Sequence, residues 1–334
     1  MKTEGIGGYF ELELPDYGCF FHDDGVLLNS GRNALEYVLM SLCDVRNIYV
    51  PYYTCDVVME PIEKMGVPYS FYHINQKLEI EDLPSLQRGE YLIYTNYFGV
   101  KDEYVKILAN HYESHLIVDN AQAWFAEPIE GVNTIYSPRK FVGLPDGGIA
   151  YCTKQIDKNS FAQDVSFERC SHLLKRIDIG PSDGYADFRA NSEQLKGQPI
   201  KQMSRLTQRM LSSIDFEVVK GKRKKNFEYL HKGLGENNLF SIPSVDTFAC
   251  PMVYPYLTDD NSLKQKLIDS KVFVATYWPN VFGKCKPKDW EYVFAERLAF
   301  IPIDQRYGVE DMYLIVNIIN KTKRHEEDSS YWGK

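Results

Sequence analysis

Three residues in the first half of the chain can do covalent and acid–base chemistry if the fold brings them together. Lys140 lies in Ser137-Pro138-Arg139-Lys140, a few residues ahead of the pair Gly147-Gly148, and a lysine amine can add to an aldehyde or carry a proton. Asp119 closes the apolar run Leu116-Ile117-Val118, which places a carboxylate at the buried end of a strand, able to hold a positive charge. Ser30-Gly31-Arg32-Asn33 opens a helical pattern, where unpaired N–H groups and the helix dipole favour an anion and Gly31 permits close approach. Gln122, Ser137 and Cys55 stand in neighbouring loops and add polar groups. Each has an ordinary reading alone: a solvated lysine, a helix-capping aspartate, a plain helix entry. The set is what points to chemistry.

The elements that must position these residues are legible in the hydrophobic spacing. Ala34, Leu35, Val38, Leu39 and Leu42 recur at helical intervals, with Ser30 as N-cap and an end near Asp44. Strands are expected at 47–50, through Tyr69, Phe71 and Tyr72, at 91–96, at 116–118 running into Asp119, at 134–136 and at 148–152. Helices fall between them at 56–65 and 105–112. Short apolar strands alternating with helices predict an α/β fold: a three-layer αβα arrangement with a mostly parallel central sheet, and a smaller C-terminal α+β lobe. Ligands of such sheets bind at the carboxyl ends of the strands, and the unusual residues lie in those loops. The expected division is an N-terminal arm over 1–30, a large domain over 31–215 and a small domain over 216–334. Residues 161–214 read as interrupted polar helices. The small domain reads as a charged helix at 221–233, strands at 250–256, 272–275 and 298–302, and helices at 262–270 and 309–320. A frayed tail over 323–334 ends the chain.

Composition narrows the classes of function. With 334 residues, 44% hydrophobic and 25% charged, the chain reads as globular. Its 38 basic against 46 acidic residues give a net charge of −8, which argues against nucleic acid as a partner. The run Lys220-Gly221-Lys222-Arg223-Lys224-Lys225 reads as a solvated helix face. Seven scattered cysteines without C-x-x-C predict neither a disulfide framework nor a cysteine zinc site, and fit a reducing cytoplasm. His111 and His115 read as surface histidines, so no metal is expected. No signal peptide or membrane span is read, so no membrane partner is expected either.

A phosphate cradle, a buried carboxylate and a loop lysine match what pyridoxal 5'-phosphate needs. With this set of residues the chain resembles the fold-type-I pyridoxal-phosphate aminotransferases, specifically the DegT/DnrJ/StrS sugar aminotransferases. The resemblance runs through Gly31-Arg32-Asn33-Ala34-Leu35, Val50-Pro51-Tyr52-Tyr53-Thr54, Asp119-Asn120-Ala121-Gln122-Ala123 and the lysine loop with Gly147-Gly148, and more faintly through Ile301-Pro302-Ile303-Asp304. It implies that Lys140 forms the imine with the cofactor and moves the α-proton, and that Asp119 faces the pyridine nitrogen. It further implies that Gln122 touches the ring, that Gly31, Arg32, Asn33 and Ser137 surround the phosphate, and that Cys55 stands beside the ring. It implies a small-molecule amino donor, usually glutamate, a keto-sugar acceptor carried on a nucleotide, and a homodimer.

The chain also departs from the family pattern. Ser137 stands three residues before the lysine where the family has five. Cys55 occupies the place of a ring-stacking aromatic, with Tyr52, Tyr53 and Phe98 as expected replacements facing the cofactor. Gln202-Met203-Ser204-Arg205-Leu206 stands where the family has Asn-Arg-Met. A dehydratase of this family normally carries histidine in place of the lysine, and Lys140 argues against it. The alternative from another class is a catalytically inactive protein of this fold that binds a ligand or partner.

Overall fold

The strand residues alternate between two apolar sets, and this alternation builds the layers. In the computed structural model, which describes residues 7–42 and 44–331 with side chains placed as far as 321, the odd and even positions of each central strand face different cores. Ile93, Ile117, Ile135 and Ala150 pack with Ala34, Leu35, Val38 and Leu39 on one face. Leu92, Tyr94, Leu116, Val118, Tyr136 and Ile149 join the larger core on the other. Side chains of a strand point to opposite faces with period two, so a run apolar at every position must be covered twice.

Nine strands are described: β1 Val26–Leu28, β2 Asn47–Pro51, β3 Tyr69–Tyr72, β4 Glu90–Thr95, β5 Leu116–Asn120, β6 Asn133–Tyr136, β7 Gly148–Tyr151, β8 Val253–Leu257 and β9 Leu298–Pro302. Ten helices accompany them: α1 Gly31–Ser41, α2 Met59–Lys64, α3 Asp102–Tyr112, α4 Ser171–Asp178, α5 Tyr185–Gln194, α6 Arg205–Ser212, α7 Phe216–Leu234, α8 Leu263–Asp269, α9 Trp290–Arg297 and α10 Val309–Tyr331. Seven strands form one sheet in the order β1-β7-β6-β5-β4-β2-β3, and β8 and β9 pair separately. Strands β2 to β6 run parallel, while β7 is antiparallel to both β6 and β1. This is the expected α/β layering, with Asp119 on the central strand.

Several expectations need correction. Residues 26–28 of the expected arm form an edge strand, because Val26 and Leu28 are buried and Leu27 meets Ile149 in register. The strand expected at 272–275 does not form: the Val272 N–H bonds back to the Leu267 carbonyl and closes α8. Helix α9 was not expected. The tail expected to fray over 323–334 instead continues α10 as far as Tyr331, and 332–334 lie outside the described residues. The basic run is not wholly solvated either. Arg223 is 2% exposed, and its guanidinium donates to Gln305 Oε1 at 3.0 Å, to the Met252 carbonyl at 3.0 Å and to the Phe141 carbonyl at 3.1 Å.

Candidate active site

Strand register sets the site. Asp119 stands beside Thr95 of β4 and Ile135 of β6, at the carboxyl ends of three parallel strands. Its side chain is buried, and Oδ1 accepts from the Ala121 N–H at 2.9 Å. Burial pushes its carboxyl above the usual range, while the Lys140 ammonium and the Ala121 hydrogen bond pull it back. A buried carboxylate in this position is stabilised by any cation placed against its free oxygen.

Lys140 ends the one-turn helix Pro138–Lys140 that follows β6, and it is exposed. The backbone just after it is held from the C-terminal part of the chain. The Phe141 carbonyl takes Arg223 and also Gln305 Nε2 at 2.8 Å, and the Arg223 guanidinium lies 4.7 Å over the Phe141 ring.

The anion end is built where α1 begins. Ser30 caps the helix by accepting from the Asn33 N–H at 3.1 Å, which leaves the Gly31 and Arg32 amides at the helix mouth. A side chain on Gly31 would put its Cβ 3.4 Å from Ser137 Cβ and 3.6 Å from Ser137 Oγ, filling the gap between helix start and serine. Ser137 Oγ makes no capping hydrogen bond in its own turn. The glycine pair locks the two parts together. The Gly147 N–H donates to the Asn29 carbonyl at 2.9 Å, and a Cβ on Gly148 would sit 2.1 Å from the Ser30 carbonyl oxygen.

Arg32 and Arg139 adjoin this cradle beside Gly31 and Ser137, while Arg169 is paired with Asp146 at 3.2 Å and Asp164 at 2.6 Å. Burial and the charges of Arg32 and Arg169 push the Arg139 guanidinium down to about 10, against the pull of Asp146. Like charges gathered this way are relieved by a bound anion. Arg32 is also engaged at Glu60, Nε to Oε2 2.9 Å.

The remaining expected site residues divide. Gln122 is buried, and its Oε1 accepts from the Phe98 N–H at 3.0 Å, leaving the amide NH₂ to offer. The Asn33 side chain is taken up within α1 and by the Gln198 carbonyl at 3.0 Å. Cys55 is half-buried at the start of the turn Asp56–Val58. The three aromatics expected to face a ligand pack elsewhere. Tyr53 lies edge-on to Trp278 at 4.4 Å, Phe98 meets Phe300 at 5.0 Å, and Tyr52 stacks on Phe71 at 4.8 Å. Tyr53 and Phe98 follow apolar strands into the seam with the C-terminal segment, and Tyr52 packs beside the end of β3 against Phe71 and His73.

Two groups escaped the sequence reading as site residues. The hydroxyls of Thr54 and Thr95 are buried without a hydrogen-bond partner among the described residues. A hydroxyl closing an apolar strand beside Asp119 was the available signal at Thr95. A cavity of about 580 Å³ adjoins Lys140 and is lined by Arg139, Arg176, Arg306 and His172 together with Leu173 and Phe188.

The donor set fits pyridoxal phosphate: an amine, a buried carboxylate with one free oxygen, a helix mouth with a serine and cations, and a gap that a Cβ would fill. No family model and no curated protein matches the sequence. Solved structures match over most of its length. The sugar aminotransferase CalS13 from Micromonospora echinospora shares 14% identity, over 89% of this chain and 86% of that one, with a TM-score of 0.58. Helicobacter pylori PseC, an aminotransferase involved in the biosynthesis of pseudoaminic acid, shares 13% over 89% and 85%, at 0.57. NtdA from Bacillus subtilis, with bound cofactor PMP, shares 13% over 87% and 73%, at 0.58. At these identities the shared property is the fold.

Proposed function

We propose that the chain is a pyridoxal 5'-phosphate-dependent aminotransferase, a divergent relative of the DegT/DnrJ/StrS enzymes, moving an amino group from an amino-acid donor to a keto sugar. The observation that carries this reading is the convergence at one end of the sheet of Asp119, whose carboxyl feels the Lys140 charge, with the helix mouth at Gly31 and Ser137. The sugar aminotransferases of the same fold support it.

When bound, the cofactor supplies an aldehyde carbon that takes up the amino group and a ring that accepts electrons. The residues of the chain do the rest. The Gly31 and Arg32 amides, Ser137 Oγ and Arg139 hold the phosphate. Asp119 keeps a proton on the nitrogen placed against it, and that positive charge offsets the cost of its burial. Gln122 and the Thr54 and Thr95 hydroxyls orient the ring. Lys140 Nζ would take the proton from the donor carbon that bears the amino group and return it to the carbon on the far side of that nitrogen. The cationic cavity beside Lys140 suits an acceptor bearing an anionic group, as a nucleotide-linked sugar does.

The proposed division keeps the site in a large domain ending near residue 215 and the rest in a small domain. A homodimer completes the reading, with Phe167, Leu174, Ile177 and Tyr185, all exposed, as the surface for the second copy.

The test is direct. The purified chain with added pyridoxal phosphate is expected to turn yellow and to lose the colour on reaction with glutamate, and Lys140→Ala abolishes both. A chain that stays colourless and ignores the cofactor overturns the reading. A chain that binds it but never reacts with any amino donor is an inactive binding protein instead.

A further inference from the structure

Glu291 is a fully buried carboxylate outside the candidate active site, and its surroundings leave it half satisfied. It is 0% exposed, near the start of α9. Its Oε1 accepts from the Ile74 N–H at 2.7 Å and lies 3.2 Å from His73 Nδ1. Its Oε2 is buried with no hydrogen-bond partner among the described residues. No lysine or arginine pairs with it among those residues, and the His73 side chain is 41% exposed. An ionised carboxylate withdrawn from water is costly unless a charge is set against it.

The third group at this place is a thiol. One ligand atom each from His73, Cys285 and Glu291 lies within 4.8 Å of the other two. A tetrahedral zinc ion with bonds of about 2.0–2.3 Å holds its ligand atoms about 3.3–3.7 Å apart, so closing this set takes side-chain shifts of about 1 Å. Thiolate, imidazole and carboxylate are the donors that zinc combines.

We propose that His73, Cys285 and Glu291 bind a zinc ion that ties the outer strand β3 to the C-terminal segment. His73 directly follows β3, three strands away from Asp119 in the sheet order, whereas Cys285 and Glu291 come from beyond residue 280. The site is separate from the chemistry at Lys140. Oε2 is the carboxylate oxygen for the metal, because Oε1 is already held by the Ile74 amide. The imidazole is oriented by the Tyr52 ring, 4.5 Å away. Burial, with the charges of Glu291 and Asp289, pushes the Cys285 thiol up to about 12, so the metal-free thiol keeps its proton. Binding forms an S–Zn bond and releases that proton to solvent, with no change of oxidation state. A water takes the fourth position on the exposed side of His73. Lys284, next to Cys285 in the sequence, is directed elsewhere: it lies 3.8 Å from Asp56 and over the Phe71 ring.

The experiment uses the tag-free full chain, stripped with a chelator and titrated with Zn²⁺ against a chromophoric competitor. A parallel titration with Co²⁺ reads the thiolate-to-metal absorption band. One ion per chain is expected, with the cobalt band present. Affinity should fall at least about 100-fold in Cys285→Ser and at least about tenfold in His73→Ala, both with wild-type circular dichroism in chelator. His73 is half-exposed, so His73→Ala decides the matter if Cys285→Ser fails to fold. No ion taken up, no cobalt–thiolate band, or equal affinity in wild type and His73→Ala overturns the proposal.

Discussion

Replacing Arg223 by methionine should destabilise the fold by about 2–4 kcal/mol. The change strands the buried Met252 carbonyl and the half-buried Gln305 Oε1, since the Phe141 carbonyl keeps its second donor from Gln305 Nε2. An unsatisfied buried acceptor costs about 1–3 kcal/mol and a half-buried one less, which gives about 2–5 kcal/mol together. Removing a cation from a low-dielectric site returns part of that, and methionine keeps the apolar stem against the Phe141 ring. Urea unfolding followed by tryptophan fluorescence measures the difference, with the slope of the transition unchanged. Arg223→Lys should fall between the two, because one ammonium cannot span three acceptors gathered from residues 141, 252 and 305. The clamp holds the residue after Lys140, so Arg223→Met should also slow capture of added pyridoxal phosphate. A methionine variant within about 0.5 kcal/mol of wild type refutes the energetic argument. Unchanged cofactor capture in a destabilised variant refutes the positioning argument.

Other outcomes follow from single sites. His22 donates Nε2–H to the Trp124 carbonyl at 2.8 Å, and burial pushes its imidazole down to about 4. The unfolded histidine takes up a proton near pH 6.5 and the folded one only near pH 4. Its contribution of about 3 kcal/mol is therefore complete above pH 6.5 and is lost as pH falls through that window. Unfolding series at pH 4.5 and 7 should show a steeper loss in wild type than in His22→Leu, and equal slopes would contradict the assignment. Gly148→Ala drives a methyl into the Ser30 carbonyl and should lower the melting temperature sharply or abolish soluble expression. A wild-type melting curve for that variant rules out the close approach. Asp119→Asn should cut aminotransfer about 10–100-fold while Lys140 still yields the yellow colour, the loss of one charge-assisted hydrogen bond at about 1.5–3 kcal/mol. Steady-state kinetics with glutamate decide it, and undiminished turnover excludes Asp119 from its proposed role.

Much of the fold was readable because the central strands carry their own signature. Ile93, Ile117 and Ile135 belong to apolar runs bounded by turns, and α1 announces itself by Ser30 and a clean 3.6-residue spacing. What failed to show was whatever depends on a distant partner. Strand β1 is three residues long and becomes a strand only through pairing with β7. Helix α9 buries a glutamate, which a hydrophobic pattern counts against a buried face. The placement of Gly31 at a helix start, Asp119 at a strand end and Lys140 in the loop after β6 was legible from their neighbours in sequence. Arg223 was not, because a basic run carries no mark of the carbonyls that the fold collects around one member. The aromatic loops misled for a similar reason: sequence places Tyr53 and Phe98 after strands, but the C-terminal segment decides what they touch.

The pairing of Val26 with Ala150 bears on the order in which the molecule is made. On the ribosome β1 and α1 emerge ahead of the rest of the sheet, yet the strand that receives β1 and the glycines that seat the start of α1 are translated more than a hundred residues later. Strands β2 to β6 can assemble in sequence through short crossovers, each closing a modest loop. The edge carrying the helix mouth must wait for a long one, and non-local closures of this kind are slow. The part of the site encoded earliest is thus completed last, so a vitamin-derived ligand held there would act on a nearly finished protein and stabilise the native state by mass action rather than guide its collapse.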